Sequence, residues 1–169
     1  KKIRNVILLS LMLTLLASCS LRKNVPNDKM ILKNNIVEIN SKDVDFSKSD
    51  ISQYISQSAT PKFLGFMPQT WIYYKTENKT DKKLYKWINE TIGKKPVYFN
   101  NDLKEKSVSQ ISKYLNDIGY FNSGISTQIK NKGGIGKVIY GIYPASPYIV
   151  DSITFKISDT TIYRYVKEI

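Results

Sequence analysis

Residues 107–143 read SVSQISKYLNDIGYFNSGISTQIKNKGGIGKVIYGIY, and this stretch decides the fold. Val108, Ile111, Leu115 and Ile118 recur at helical spacing with Tyr114 beside them, which predicts an amphipathic helix with one apolar stripe. Gly119 closes it in the left-handed position that ends many helices. The period then changes from helical to alternating. Ile125, Thr127 and Ile129 form one half-buried strand, and Val138, Tyr140 and Ile142 form another. Gly133-Gly134 lies between them as a two-residue turn, so the pair is a hairpin.

Working outward toward the N-terminus, Val97-Tyr98-Phe99 is a short extended piece after Lys94-Lys95-Pro96. Leu84, Ile88 and Ile92 recur every four residues behind Thr80, predicting a helix capped by Thr80 and stopped at Gly93. Ser47 followed by Asp50 resembles a capping box. The helix it opens, with Ile51, Tyr54 and Ile55 on one face, should end near Ser58, ahead of Pro61. Met30 to Asn40 reads as a strand bent at Asn34-Asn35. Residues 61–80 carry Phe63, Leu64, Phe66, Met67, Trp71, Ile72, Tyr73 and Tyr74. Two readings stand here, a buried insertion or an exposed binding surface, with packing favoured because large exposed apolar patches are uncommon without a partner.

The chain begins Lys1-Lys2-Ile3-Arg4, continues through an apolar stretch from Val6 to Leu16, and reaches Leu16-Ala17-Ser18-Cys19. A basic start, a short apolar core and small residues describe an export signal. The apolar run is shorter than the roughly 20 residues that a bilayer-spanning helix needs. Leu16, Ala17, Ser18 and Cys19 resemble the bacterial lipobox, in which the thiol is acylated and becomes the new N-terminus. Cys19 is the one cysteine of the chain, so an internal disulfide is excluded and lipidation gives the thiol a purpose. The resemblance implies several acyl chains, palmitate among them, and several chains anchor a protein stably. Residues 1–18 are thus expected as a signal peptide and 19–29 as a polar tether.

The net charge of +12 falls to +9 when the three bases of residues 1–18 are removed. The bases are scattered, with only Arg22 and Arg164 as arginines after the signal, which points away from nucleic acid and toward a solvated lysine surface. There is no histidine, which excludes histidine triads, bases and metal ligands. Gly133-Gly134-Ile135-Gly136 lacks the Lys-Ser/Thr of a phosphate loop. No catalytic constellation is visible, no cofactor or metal is implied, and the chain is read as a binding protein and not an enzyme.

The order strand, helix, helix, hairpin resembles a POTRA domain, in which helices cover one face of a three-stranded mixed sheet. Tyr114 to Asn122 is similar to the POTRA helix end, which closes on Gly-Tyr-Phe before the second strand. Val138 to Pro144, followed by Pro147-Tyr148-Ile149-Val150-Asp151-Ser152-Ile153, is similar to the link between successive repeats, where a tyrosine packs at the joint. Ile92-Gly93-Lys94-Lys95-Pro96-Val97 resembles a Gly-x-x-Pro-Val step of lipidated, TamL-like relatives of TamA. Together with the lipobox these stretches resemble the lipoprotein branch of the BamA/TamA outer-membrane assembly family.

That resemblance implies an α+β fold with a POTRA-like domain over residues 30–144, enlarged by a helical and aromatic insertion at about 59–100. A second repeat would start at 147–169, with a strand over Ile149 to Ile157 and a helix after Asp159-Thr160. The family's β-barrel is absent from these residues. The resemblance further implies a place on the periplasmic side of the outer membrane, lipid contact through acylated Cys19, and unfolded outer-membrane protein clients or assembly subunits as partners. They would be held by strand addition at the edge carrying Ile125, Thr127 and Ile129. Lys130 and Lys132 equally suit an edge blunted against pairing. A rival reading is a lipid-anchored glycan binder using the aromatic residues of 63–74.

Overall fold

A computed structural model describes residues 21–77, 82–154, 156 and 164. Three strands, β1 (Ile31–Ile39), β2 (Gly124–Lys132) and β3 (Ile135–Tyr143), form one mixed sheet in the order β1-β3-β2. β3 runs parallel to β1 and antiparallel to β2. Among the described residues, four helices accompany the sheet: α1 (Lys48–Ser52), α2 (Pro68–Glu77), α3 (Lys83–Thr91) and α4 (Asn101–Asp117). The chain is therefore α+β with a three-stranded mixed open sheet, the coarse architecture that the resemblance implies, with the helices and the hairpin that the periodicities predict.

The main core lies where α1 and α4 meet one face of the sheet. Ile51 from α1 and Ile111 and Leu115 from α4 pack on Val37, Val138, Tyr140 and Ile142. α4 starts at Asn100, whose side chain accepts from the N–H groups of Asp102 and Leu103, satisfying two otherwise unpaired donors. It ends in a full Schellman arrangement. Gly119 at φ +91° donates to the Asn116 carbonyl, and Tyr120 donates to the Leu115 carbonyl at 2.8 Å. This left-handed step turns the chain back so that Tyr120, 2% exposed, joins the core. Ile118 leaves the apolar stripe as the cap residue and is 38% exposed.

The hairpin is as expected. Gly133 and Gly134 take φ values of +61° and +77°, the pair of positive angles that a tight, right-twisting turn demands. β1 is bent, but one step earlier than Asn34-Asn35. Its register slips between Leu32 and Asn34, so Lys33 is the extra residue of a bulge.

Other expectations are corrected. The helix opened by Ser47 and Asp50 has the capping box, both halves of which are present. It stops at Ser52 and not near Ser58. The chain leaves the helix to serve the 98–100 segment and α4: Gln57 donates to the Tyr98 carbonyl and accepts from the Asn100 N–H, and the Ser56 N–H donates to Ser107 Oγ. α3 begins at Lys83 with Lys82 at its cap and no side-chain bond there; Thr80, expected as the cap, lies outside the described residues. α2 is a helix that the aromatic pattern does not announce, although Pro68 occupies the first position, where proline is favoured. The strand expected over 149–157 does not form across 149–154, where Ile149, Val150 and Ile153 are exposed. Residues 155 and 157–163 lie outside the described residues, as does Ile169.

The segment expected as a tether is folded over its described part. Leu21 is 5% exposed and forms a second core with Ile31 and Met67, backed by Val25, Trp71, Tyr98 and Ile135. A Cβ at Gly133 would sit 3.1 Å from Arg22 Cδ and one at Gly134 3.0 Å from Val25. Two bare glycines thus let residues 22–25 lie flat on the hairpin tip. The aromatic stretch is divided by the same core. Met67, Trp71 and Tyr74 pack inward, whereas Phe63, Leu64 and Phe66 project outward.

Candidate functional site

The two edges of the sheet are not equivalent. β1 is covered at its N-terminal end by two pieces of chain. The Leu32 N–H donates to the Val97 carbonyl at 2.8 Å, the Phe99 N–H to the Met30 carbonyl at 2.8 Å, and Tyr98 bridges Ile31 in antiparallel fashion. The Thr60 N–H donates to the Leu32 carbonyl at 2.8 Å, and Asn35 Nδ2 donates to the Gln57 carbonyl at 2.6 Å. Val97-Tyr98-Phe99, expected as an extended piece, is therefore the lid of this edge.

β2 has no such cover. Among the described residues, no backbone hydrogen bond reaches Gly124–Lys132 from outside the sheet. Every strand has donors and acceptors on both sides, so an uncovered edge strand offers a row of them to any extended chain. The register places Ile125 opposite Ile142, Thr127 opposite Tyr140 and Ile129 opposite Val138. Directly paired residues share a face, so all three side chains point toward the helices. Ile125 and Thr127 are half-buried there, and Ile129, beyond the reach of the main cluster, is 43% exposed. The three residues position the edge; the backbone between them is what a partner would read. Ser126 and Gln128 are exposed on the opposite face, across from Gly141 and Ile139.

One end of this edge is pinned. The Tyr148 N–H donates to the Gly119 carbonyl at 2.9 Å, the Ala145 N–H donates to Ser123 Oγ, and the Tyr148 ring meets Phe121 edge-on at 5.4 Å. Tyr148 is the residue expected to pack at the link. The other end is strongly basic. Lys130 lies directly opposite Lys137, an arrangement of like charges that costs a few tenths of a kcal/mol or more in a sheet.

The phenols are structural. Tyr73 donates to Glu77 Oε1 at 2.7 Å, and that bond pushes its pKa up to about 12. Burial raises that of Tyr74, whose hydroxyl also meets Tyr98 Oη at 2.8 Å. Among the described residues, no group of histidine, cysteine or acidic side chains is placed to hold a metal. No helix among them is long and apolar enough to cross a membrane. Leu16, Ala17, Ser18 and Cys19 lie outside the described residues. Comparison with protein-family models gives no match for this chain, and comparison with curated proteins gives none either.

Proposed function

We propose that this chain is the periplasmic N-terminal segment of a lipid-anchored outer-membrane protein assembly factor, a POTRA-like module that binds and does not catalyse. It holds unfolded clients or assembly subunits by adding their extended segments to the free side of β2. The observation that carries this reading is the asymmetry of the sheet: residues 60 and 97–99 pair with the start of β1, at Met30–Leu32, while among the described residues no backbone bond reaches β2 from outside the sheet. Main-chain pairing on an open edge is tolerant of sequence, which suits a protein that handles many different strands. The anchoring half of the proposal rests on the lipobox-like Leu16-Ala17-Ser18-Cys19.

Each half has its own test. Expressed in a bacterium fed labelled palmitate, the chain should incorporate label and its Cys19→Ser variant should not; equal labelling ends the anchor. A photocrosslinking residue in place of Gln128 should capture extended segments of outer-membrane proteins, while the same residue in place of Lys113 on α4 should not. Equal capture at both positions, or none at either, ends the strand-addition reading. The rival glycan platform has less to work with, because Met67, Trp71 and Tyr74 are committed to the second core.

A further inference from the structure

Leu64 is the one non-glycine residue among those described with a positive φ, at +48°, and it is 81% exposed. With Gly65 at φ +81° it forms the centre of a tight turn whose flanks, Phe63 and Phe66, exchange backbone bonds of 2.9 and 3.0 Å. Phe63 is 68% exposed and Phe66 50%. A bulky apolar side chain is thus held in a conformation that suits glycine, at the tip of an apolar projection into solvent. The Leu64 side chain gives the fold little in return: its backbone is disfavoured and most of its apolar surface stays wet. Such strain points to a use outside the fold.

The surroundings identify the use. Phe66 shares a cavity of about 160 Å3 with Leu21, Arg22, Lys33 and Ile135. Next to it, a groove of about 470 Å3 on the uncovered sheet face is lined by Arg22, Lys33, Lys130, Lys132 and Lys137. Among the described residues, no acidic side chain lines either cavity. Lys62, beside the turn, reaches Asn34 of the same groove at 2.7 Å. The like-charged Lys130–Lys137 pair also belongs to it. Leu21, packed at this site, is two residues from Cys19 in sequence, a reach of about 7 Å.

The geometry points to a membrane-docking face: the Phe63–Phe66 turn inserts at the headgroup boundary of an anionic phospholipid bilayer, and the Arg22/Lys33/Lys130/Lys132/Lys137 groove lies on its headgroups. The inference takes the Cys19-anchored chain as its starting point, since that anchor sets the bilayer beside Leu21. An apolar wedge ringed by cations is the combination that binds an interface, the apolar part by burial and the bases by attraction to acidic lipid. A soluble acidic protein would satisfy the lysines but leave the turn without a purpose.

The test uses the full chain carrying Cys19→Ser, so that its outcome does not depend on acylation. Leu64→Cys, labelled with an environment-sensitive fluorophore, is compared with the same label at Lys106→Cys on α4. Each is reconstituted with brominated phosphatidylcholine vesicles, alone or mixed with phosphatidylglycerol. The label at 64 should be quenched by the bromines and more strongly with phosphatidylglycerol, and the label at 106 should not. Changing Lys33, Lys130 and Lys132 to Gln should weaken the docking equilibrium by about 100-fold, from roughly fivefold per lysine near an acidic surface. The equally charged change of Lys42, Lys48 and Lys113 should leave it intact. Circular dichroism on each variant establishes that the fold is kept. Equal quenching at the two labels, indifference to phosphatidylglycerol, or equal effects of the two lysine sets would overturn the proposal. Loss of palmitate labelling at Cys19 would overturn the anchor alone.

Discussion

Replacing Leu64 with Asn should make the protein more stable while removing its grip on a bilayer. A leucine in the left-handed region costs about 1–2 kcal/mol relative to a right-handed or extended backbone. Asparagine tolerates the region several-fold better, and it leaves the freedom of the unfolded chain nearly unchanged, which glycine would not. Little burial is lost in exchange. With 81% of the side chain already in water, the burial forfeited is about a fifth of the 1.5–3 kcal/mol of a fully buried leucine, or roughly 0.5 kcal/mol. The balance is a gain of about 0.5–1 kcal/mol, which raises the melting temperature by roughly 2–4 °C in a domain of this size. Thermal unfolding followed by circular dichroism, at fixed pH and salt, measures it. A fall in melting temperature would show that Leu64 packs on something, and the case for a strained, outward-facing wedge would fail.

Three further outcomes are expected. Leu21→Ala should destabilise the chain by about 2 kcal/mol or more in urea titration, as for other buried leucines; no change would return residues 21–29 to a slack tether. Gly119→Ala adds a Cβ 2.9 Å from the Tyr148 carbonyl oxygen at φ +91°, and should cost about 1–2 kcal/mol by the same titration; an unchanged midpoint would mean that the 144–148 link peels away freely. Asp50 has its pKa lowered from 3.8, first by its bond to the Ser47 backbone and then by that to the Ser47 hydroxyl. Its contribution is therefore complete above 3.8 and lost as pH falls through the lower folded value, so the stability gap between the parent and Asp50→Asn should close on acidification, and a gap that widens contradicts the cap.

The elements that carry their own signal were legible. α4 shows an uninterrupted apolar stripe with Gly119 behind it, and the hairpin shows two alternating runs around two glycines. Each is decided by contacts within a few residues. The α2 region lacks such a signal because its apolar residues serve two environments: Trp71 and Tyr74 face the second core, while Phe63, Leu64 and Phe66 face water. No single periodicity describes both. Leu21 was hidden for a related reason. It stands alone among Arg22, Lys23 and Asn24, and only the bare hairpin tip, more than a hundred residues away, makes a seat for that segment. The β2 edge could be named from its strand, but its openness depends on the cover over β1, a long-range fact. The basic groove is equally non-local, since Arg22, Lys33, Lys130 and Lys137 are scattered in sequence and converge through the pairing of three strands.

The docking of Leu21 has a mechanical meaning. A lipoprotein on a long leash can sample a wide shell of periplasm and orient freely; a chain acylated at Cys19 and gripped at Leu21 can do neither. With the hairpin tip beside the lipid, as proposed, β2, nine residues long, would run about 30 Å away from that end at the strand rise. A guest segment aligned on that rail would have one end delivered beside the hairpin tip and the other at a fixed distance from it. Inserting flexible residues between Cys19 and Leu21 would restore the freedom that the grip on Leu21 removes.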